Sequence, residues 1–146
     1  MDNQNVAVVL RYYEAFNTRD YAIYTELFAP DAEKLVPGMP QPEKVGIEGM
    51  VAFDRAFAEG FSDARIDCLV TIGSGDHVMS ENRFTGTHDG TFHTPMGDAP
   101  ATGNHADSRY VGTFLVRDGR IVSHHTYFDQ AEMAAGVGLA PPLPSL

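Results

Sequence analysis

The dipeptide Asp118-Gly119 stands between two runs of strand composition, Arg109 to Val116 and Ile121 to Phe128, and no other feature of the chain restricts its fold as much. Asp and Gly both tolerate the positive φ angles that a two-residue hairpin turn demands, and alternating apolar runs on either side supply the paired strands. The same grammar recurs upstream, where Ile66 to Ile72 is followed by a Gly-Ser-Gly-Asp turn and then Val78 to Thr87. Two such hairpins in succession predict an antiparallel meander.

The first half of the chain has a different period. Val6, Val9, Leu10, Tyr13 and Phe16 recur at helical spacing, a second short helix is expected from about Tyr21 to Phe28, stopped by Pro30, and a third runs through Met50, Phe53, Phe57 and Phe61. Three helices ahead of the strands predict an α+β domain, with the helices on the concave side of one strongly bent sheet and a cavity between the layers. A length of 146 residues, 43% of them hydrophobic, fits one domain over 1–146, with the Pro-rich tail 138–146 as a surface strap.

Twenty acidic against ten basic residues give a formal charge of −10, which repels phosphate backbones and anionic lipid heads. Nucleic acid and membrane surfaces are therefore not expected as partners, whereas small neutral ligands are. A single cysteine, Cys68, cannot close an internal disulfide, and Met1-Asp-Asn-Gln-Asn lacks the basic and apolar regions of a secretory signal, so a cytoplasmic protein is expected. Cys68 itself reads as a small core residue.

Several short motifs follow one another along most of the chain: Ala15-Phe-Asn-Thr-Arg-Asp20, Gly46-Ile-Glu-Gly-Met50, Phe61-Ser-Asp-Ala64, Gly86-Thr-His88, Ala101-Thr-Gly103, and Asp118-Gly-Arg-Ile121 leading to Asp129. In this order and spacing the sequence resembles the SnoaL-like polyketide cyclases of the nuclear transport factor 2-like superfamily. The resemblance implies a cone-shaped, cystatin-like α+β barrel with three N-terminal helices on a curved, mainly antiparallel sheet. In catalytic members it also implies an aspartate at the position of Asp129 that removes and returns a proton during aldol ring closure. The sequence departs from the family pattern in four places: Thr113 and Leu115 stand where larger polar groups complete the acid's network, His125 replaces a common Trp, Gly136-Val-Gly138-Leu replaces the usual ending, and a longer loop, Pro95-Met-Gly-Asp-Ala, lies between Thr94 and Pro100.

Strand alternation puts Ile121, Ser123, His125, Tyr127 and Asp129 on one face and Val122, His124, Thr126 and Phe128 on the other. The resemblance turns the Asp129 face inward, making Asp129 a buried acid of raised pKa with His125 and Tyr127 on the same wall. Asp129 has a second reading as the N-cap of a helix over Gln130 to Ala135. His88, beside a Gly-rich turn, is expected in the pocket, whereas His105 reads as a loop residue. Catalytic roles thus fall on Asp129, His88 and His125, and substrate contacts on Tyr13, Phe57, Thr113, Leu115 and Tyr127. Phe57 belongs to a stripe that also reads as core, and the Tyr13 hydroxyl needs a buried partner. His124 and His125 point to opposite faces and no HxH or HxxxH spacing occurs, so neither a metal nor a cofactor is expected.

These residues predict a lyase or isomerase in which Asp129 moves a proton at a carbon next to a carbonyl, while His88, His125 or Tyr13 holds the developing enolate oxygen. The substrate would be a small apolar or aromatic ketone. Ketosteroid isomerase-like or dehydratase chemistry fits the same groups. Leu115 and the altered ending fit a different class, a non-catalytic binding or dimerisation module. A homodimer is expected through the sheet face left bare by the helices, with Phe114 or Phe128 on it.

Overall fold

The computed structural model describes residues 2–38, 45–94 and 97–138. Most of the tail 138–146 lies outside the described residues, as do two residues of the Pro95-Met-Gly-Asp-Ala segment. Helix α1 (Asp2–Thr18) is followed by a 3-10 turn (Tyr21–Ile23) and a single-turn α2 (Tyr24–Leu27), then strand β1 (Phe28–Leu35), helix α3 (Gly46–Gly60), and β2 (Arg65–Ser74) and β3 (His77–Thr87). A short hairpin of β4 (Phe92–Thr94) and β5 (Gly97–Ala99) precedes β6 (His105–Arg117), β7 (Arg120–Phe128) and α4 (Gln130–Gly136).

The main sheet has the order β1-β7-β6-β3-β2, antiparallel throughout except for the parallel pair of β1 and β7. Asp118 and Gly119 take φ of 52° and 75° in the turn where Arg117 pairs with Arg120, the positive values that favour Asp-Gly there. The sheet keeps two edges, β1 and β2, so the closed barrel that the resemblance implies is open here.

The order of elements corrects one expectation. The helices do not all precede the sheet, because the chain leaves α2 at Leu27 and enters β1 directly. The helix ends at Leu27, before Pro30, and Pro30 lies inside an edge strand, where a missing N–H can face away from the ladder. The charged stretch Asp31-Ala-Glu-Lys34 carries no apolar alternation that would announce a strand, yet Ala32, Lys34 and Val36 all point inward.

On α1 the buried face is Val9, Tyr12, Tyr13 and Phe16, a spacing of three, one and three that wraps one side of the helix. Leu10, expected in that stripe, is 43% exposed, and Tyr12 takes its place. The core lies between α1, α2 and α3 on one side and the inner sheet face on the other, where Ile66, Val78, Phe84, Phe114, Val116 and Ile121 are buried. Each such side chain contributes about 1.5–3 kcal/mol by leaving water.

Candidate functional site: a buried lysine and aspartate in an aromatic cavity

Inner and outer faces of β7 are set by its pairing with β6. Gly112, Phe114 and Val116 are buried on β6 and lie opposite Thr126, His124 and Ile121. Ladder register shifts between Leu115 and Val116, which pair with Ser123 and Ile121 and leave Val122 as an extra residue. That bulge puts Ile121 on the same side as His124, Thr126 and Phe128, and splits the face that strict alternation assembles around Asp129.

The consequence is a set of corrections. Asp129 is exposed, lies beyond the end of β7, and accepts a hydrogen bond of 3.0 Å from the Glu132 amide as the N-cap of α4. His125 and Tyr127 sit on the outer face, 3.4 Å apart between Nδ1 and the hydroxyl. Thr113 and Leu115 also point outward, because the inward positions of β6 are the even-numbered ones from Ala106 to Val116. Phe114 and Phe128, expected on a bare outer face, turn inward: Phe114 is buried and Phe128 lines the cavity. His88 is fully buried, but it stacks on Phe61 and meets Thr102 Oγ1 at 3.0 Å, away from the cavity lining. The Tyr13 hydroxyl bonds Ser80 Oγ and Asn82 Nδ2, both at 3.0 Å, in a polar knot within the core. Gly112 makes room for that knot, since a Cβ there would stand 2.6 Å from the Tyr13 oxygen.

The cavity between helices and sheet is lined instead by Tyr12, Lys34, Asp54, Phe57, Tyr110 and His124, with Phe16, Phe53, Phe84 and Phe128 completing an aromatic wall. Phe57, expected from the sequence as a substrate contact, is part of this lining. Two polar clusters face this space. On α3, Asp54 accepts hydrogen bonds at one oxygen, Oδ2, from Tyr12 at 2.9 Å and Tyr24 at 2.7 Å. On the sheet, Lys34 Nζ lies 3.2 Å from His124 Nδ1 and 3.4 Å from Thr126 Oγ1, and 4.1 Å above the Phe53 ring. With Lys34 donating to Nδ1, the His124 ring proton resides on Nε2, 3.3 Å from Thr126 Oγ1. His124 is held in place by parallel stacking on Phe114, with centroids 4.2 Å apart.

Burial dominates the electrostatics of this group. Loss of water pushes the Lys34 ammonium down from its ordinary 10.5 to about 8, against a partial restoring attraction from Asp54. The Asp54 carboxyl moves up for the same reason, held back by Lys34 and by the Tyr24 and Tyr12 hydrogen bonds. His124 falls well below its usual value through burial, reinforced by repulsion from Lys34 and His125, so it stays a neutral donor and acceptor near pH 7. Among the described residues none of the ion pairs involves Lys34, and the Asp54 carboxylate is bonded to tyrosines. Ser108, also in the lining, has a buried hydroxyl without a hydrogen-bond partner. No three His, Cys, Asp or Glu side chains converge on a metal position among the described residues.

An outer groove of about 350 Å3, lined by Val45, Phe92, His93 and Thr94, shares Lys34, Phe53 and Phe57 with the inner cavity. The inner cavity is the smaller of the two, about 40 Å3, and these three shared residues form the partition between them.

The sequence reading missed Lys34, Asp54 and His124 for different reasons. Asp54 had a signal: it lies four residues after Met50 and three before Phe57, on the apolar face of a helix, where a carboxylate is out of place. His124 was assigned to the wrong face, and Lys34 sits in a segment whose composition reads as solvated.

A helical layer over one sheet face, with ionisable side chains buried in an aromatic cavity between them, defines a small-molecule domain of the nuclear transport factor 2-like kind. The model of the SnoaL-like polyketide cyclase family matches residues 6–136, and the chain belongs to that family. Among solved structures it is similar to IdmH of Streptomyces antibioticus, a proposed polyketide cyclase, at 31% identity over 92% of this chain and 99% of that one, with a TM-score of 0.77. A proposed SnoaL-like polyketide cyclase from Jannaschia sp. CCS1 shares 26% identity over 97% of this chain and 95% of that one, with a TM-score of 0.83. AclR of Streptomyces galilaeus, a proposed hydroxylase, shares the fold at 21% identity and a TM-score of 0.81, over 99% of this chain and 87% of that one. No curated protein sequence matches. No helix among the described residues is long and apolar enough to cross a membrane.

Proposed function

We propose that this chain is a cofactor-independent lyase or isomerase of the polyketide cyclase type, moving a proton at a carbon next to the carbonyl of an aromatic ketone. Asp54, and not Asp129, serves as the pocket acid and base. The reading rests on one observation, the presence of a buried carboxylate and a buried amine on facing walls of one aromatic cavity. A carboxyl lifted above its usual range by burial is a stronger base than a solvated one, and the tyrosines that bond one of its oxygens leave the other free to take the proton. Lys34 and Ser108 supply hydrogen-bond donors to the carbonyl oxygen as charge develops there. Donors fixed in a dry pocket stabilise an enolate more than the ketone, which lowers the barrier. Family membership and the resemblance to cyclases such as IdmH support the substrate class.

The test is solvent deuterium exchange into the α-carbon of 2-tetralone, followed by mass spectrometry. Asp54→Asn should reduce exchange on the order of a hundredfold or more while leaving the fold intact. Undiminished exchange in that variant would refute the assignment.

The outer sheet face supports the dimer as a further part of this reading. Ile72, Met79, Thr113, His125 and Leu35 lie in one cross-strand row over all five strands, and Ile72 and Met79 are more than half exposed. A second copy covering that row, with both copies in the cytoplasm, completes the proposal.

A further inference from the structure

A lysine in an interior normally keeps a carboxylate against it, because an unpaired buried ammonium is costly. Lys34 does not. It is 3% exposed, its Nζ meets a neutral imidazole, a hydroxyl and an aromatic face, and the carboxylate that shares its cavity is engaged by two tyrosines. All of these partners tolerate an uncharged amine: His124 Nδ1 and Thr126 Oγ1 accept from NH2 as they do from NH3+. Lys34 also lines both the outer groove and the inner cavity, with Phe53 and Phe57 beside it, so a ligand seated in the groove lies next to this side chain.

We propose that Lys34 is a covalent binding site, whose Nζ condenses with the carbonyl carbon of a ketone or aldehyde ligand to give an iminium linkage. This goes beyond acid–base chemistry at Asp54 but rests on the same reading of the cavity as a ketone site. The Nζ lone pair forms a bond to the carbonyl carbon, and the carbonyl π pair moves to oxygen, which takes the amine proton to give a neutral carbinolamine. One further proton, delivered by the Asp54 carboxyl, lets that oxygen leave as water, and the nitrogen lone pair forms the C=N bond. The products are one iminium and one water, with no oxidant or reductant. The positive nitrogen then acidifies the neighbouring C–H, and the Asp54 carboxylate, freed of its proton, takes up the proton released while the C–H electron pair forms the enamine C=C bond.

The chain suits a direct test because it contains only two lysines, Lys34 and Lys44. The probe is 2,4-pentanedione, a 1,3-diketone small enough for the outer groove, whose imine with an unprotonated amine tautomerises to a vinylogous amide that absorbs in the near ultraviolet and survives mass spectrometry. The intact protein at pH 7 should gain the mass of one diketone less one water, peptide mapping should place it on Lys34, and labelling there should exceed that of Lys44 at least tenfold. Lys44→Arg should retain the adduct. Lys34→Arg, which keeps the positive charge, should lose it while folding normally. Absence of an adduct on Lys34, or labelling no faster than on Lys44, overturns the inference. Deuterium exchange separates the two ideas: exchange that persists without an adduct, and still depends on Asp54, sinks the covalent site and leaves the acid–base reading standing. An adduct on Lys34 with exchange indifferent to Asp54→Asn upholds the covalent site and sinks the role of Asp54.

Discussion

Replacing Lys34 by methionine removes a charge that the fold holds at a cost, while keeping a flexible apolar stem of similar length in the same slot. The folded protein binds the Lys34 proton less tightly than the unfolded chain does, with a fall from 10.5 to about 8. At about 1.4 kcal/mol per pH unit, that fall costs about 3 kcal/mol of stability at pH values below 8. The sign follows from proton counting. Below pH 8 both states carry the proton and the full cost applies; between 8 and 10.5 the folded amine has lost its proton while the unfolded one retains it, so stability rises with pH; above 10.5 the cost is gone. Lys34→Met should therefore be more stable than the parent by up to about 3 kcal/mol at pH 6.5, and by roughly 1 kcal/mol at pH 9.5. Loss of the Lys34 attraction lifts the Asp54 carboxyl further, and by the same linkage that rise offsets part of the gain at pH values above the usual carboxylate range, so about 3 kcal/mol is the upper limit. Tyrosine ionisation at high pH affects both proteins and cancels in the difference. Urea denaturation of the two proteins at several pH values measures it, and the variant should be inactive in deuterium exchange if Lys34 holds the ligand carbonyl. A difference that does not change with pH, or a variant less stable at every pH, would refute the account of Lys34 as a strained, unpaired amine.

Tyr24→Phe should cost about 1–3 kcal/mol, since it deletes a 2.7 Å hydrogen bond to a buried carboxylate. Because that bond holds the Asp54 carboxyl down, its loss raises the folded value further, and the deficit should grow as pH rises above the usual carboxylate range in chemical denaturation. Asp129→Ala should lose about 1 kcal/mol through the missing cap of α4, Asp129→Asn almost nothing, and both should retain deuterium exchange; collapse of exchange in Asp129→Asn would return the catalytic role to the end of β7. Ile72→Glu should turn a dimer into a monomer in sedimentation velocity without altering the circular dichroism spectrum, because Ile72 is 60% exposed and only an intermolecular contact would notice the charge.

The sequence by itself determined the sheet's main strands, the Asp118-Gly119 turn and the amphipathic helices, because these depend on local periodicity and on residues with unusual backbone freedom. It also carried the family, through motifs spread along the chain. Only the tertiary structure decided which face of β7 looks inward. A single inserted residue, Val122, shifts the register, so that Ile121 shares the inner face with His124 and Thr126 while His125, Tyr127 and Asp129 are left outside. Lys34 shows the same limit more sharply. Its neighbours Asp31 and Glu33 make the segment read as solvated, and it becomes a strand only because β7 offers a parallel partner some ninety residues away. Pairing that distant in the chain leaves no local period to read. Asp54 stood between these cases: its position on an apolar helix face was visible, but the two tyrosines that bond it come from α1 and α2, and only packing brings them to one oxygen.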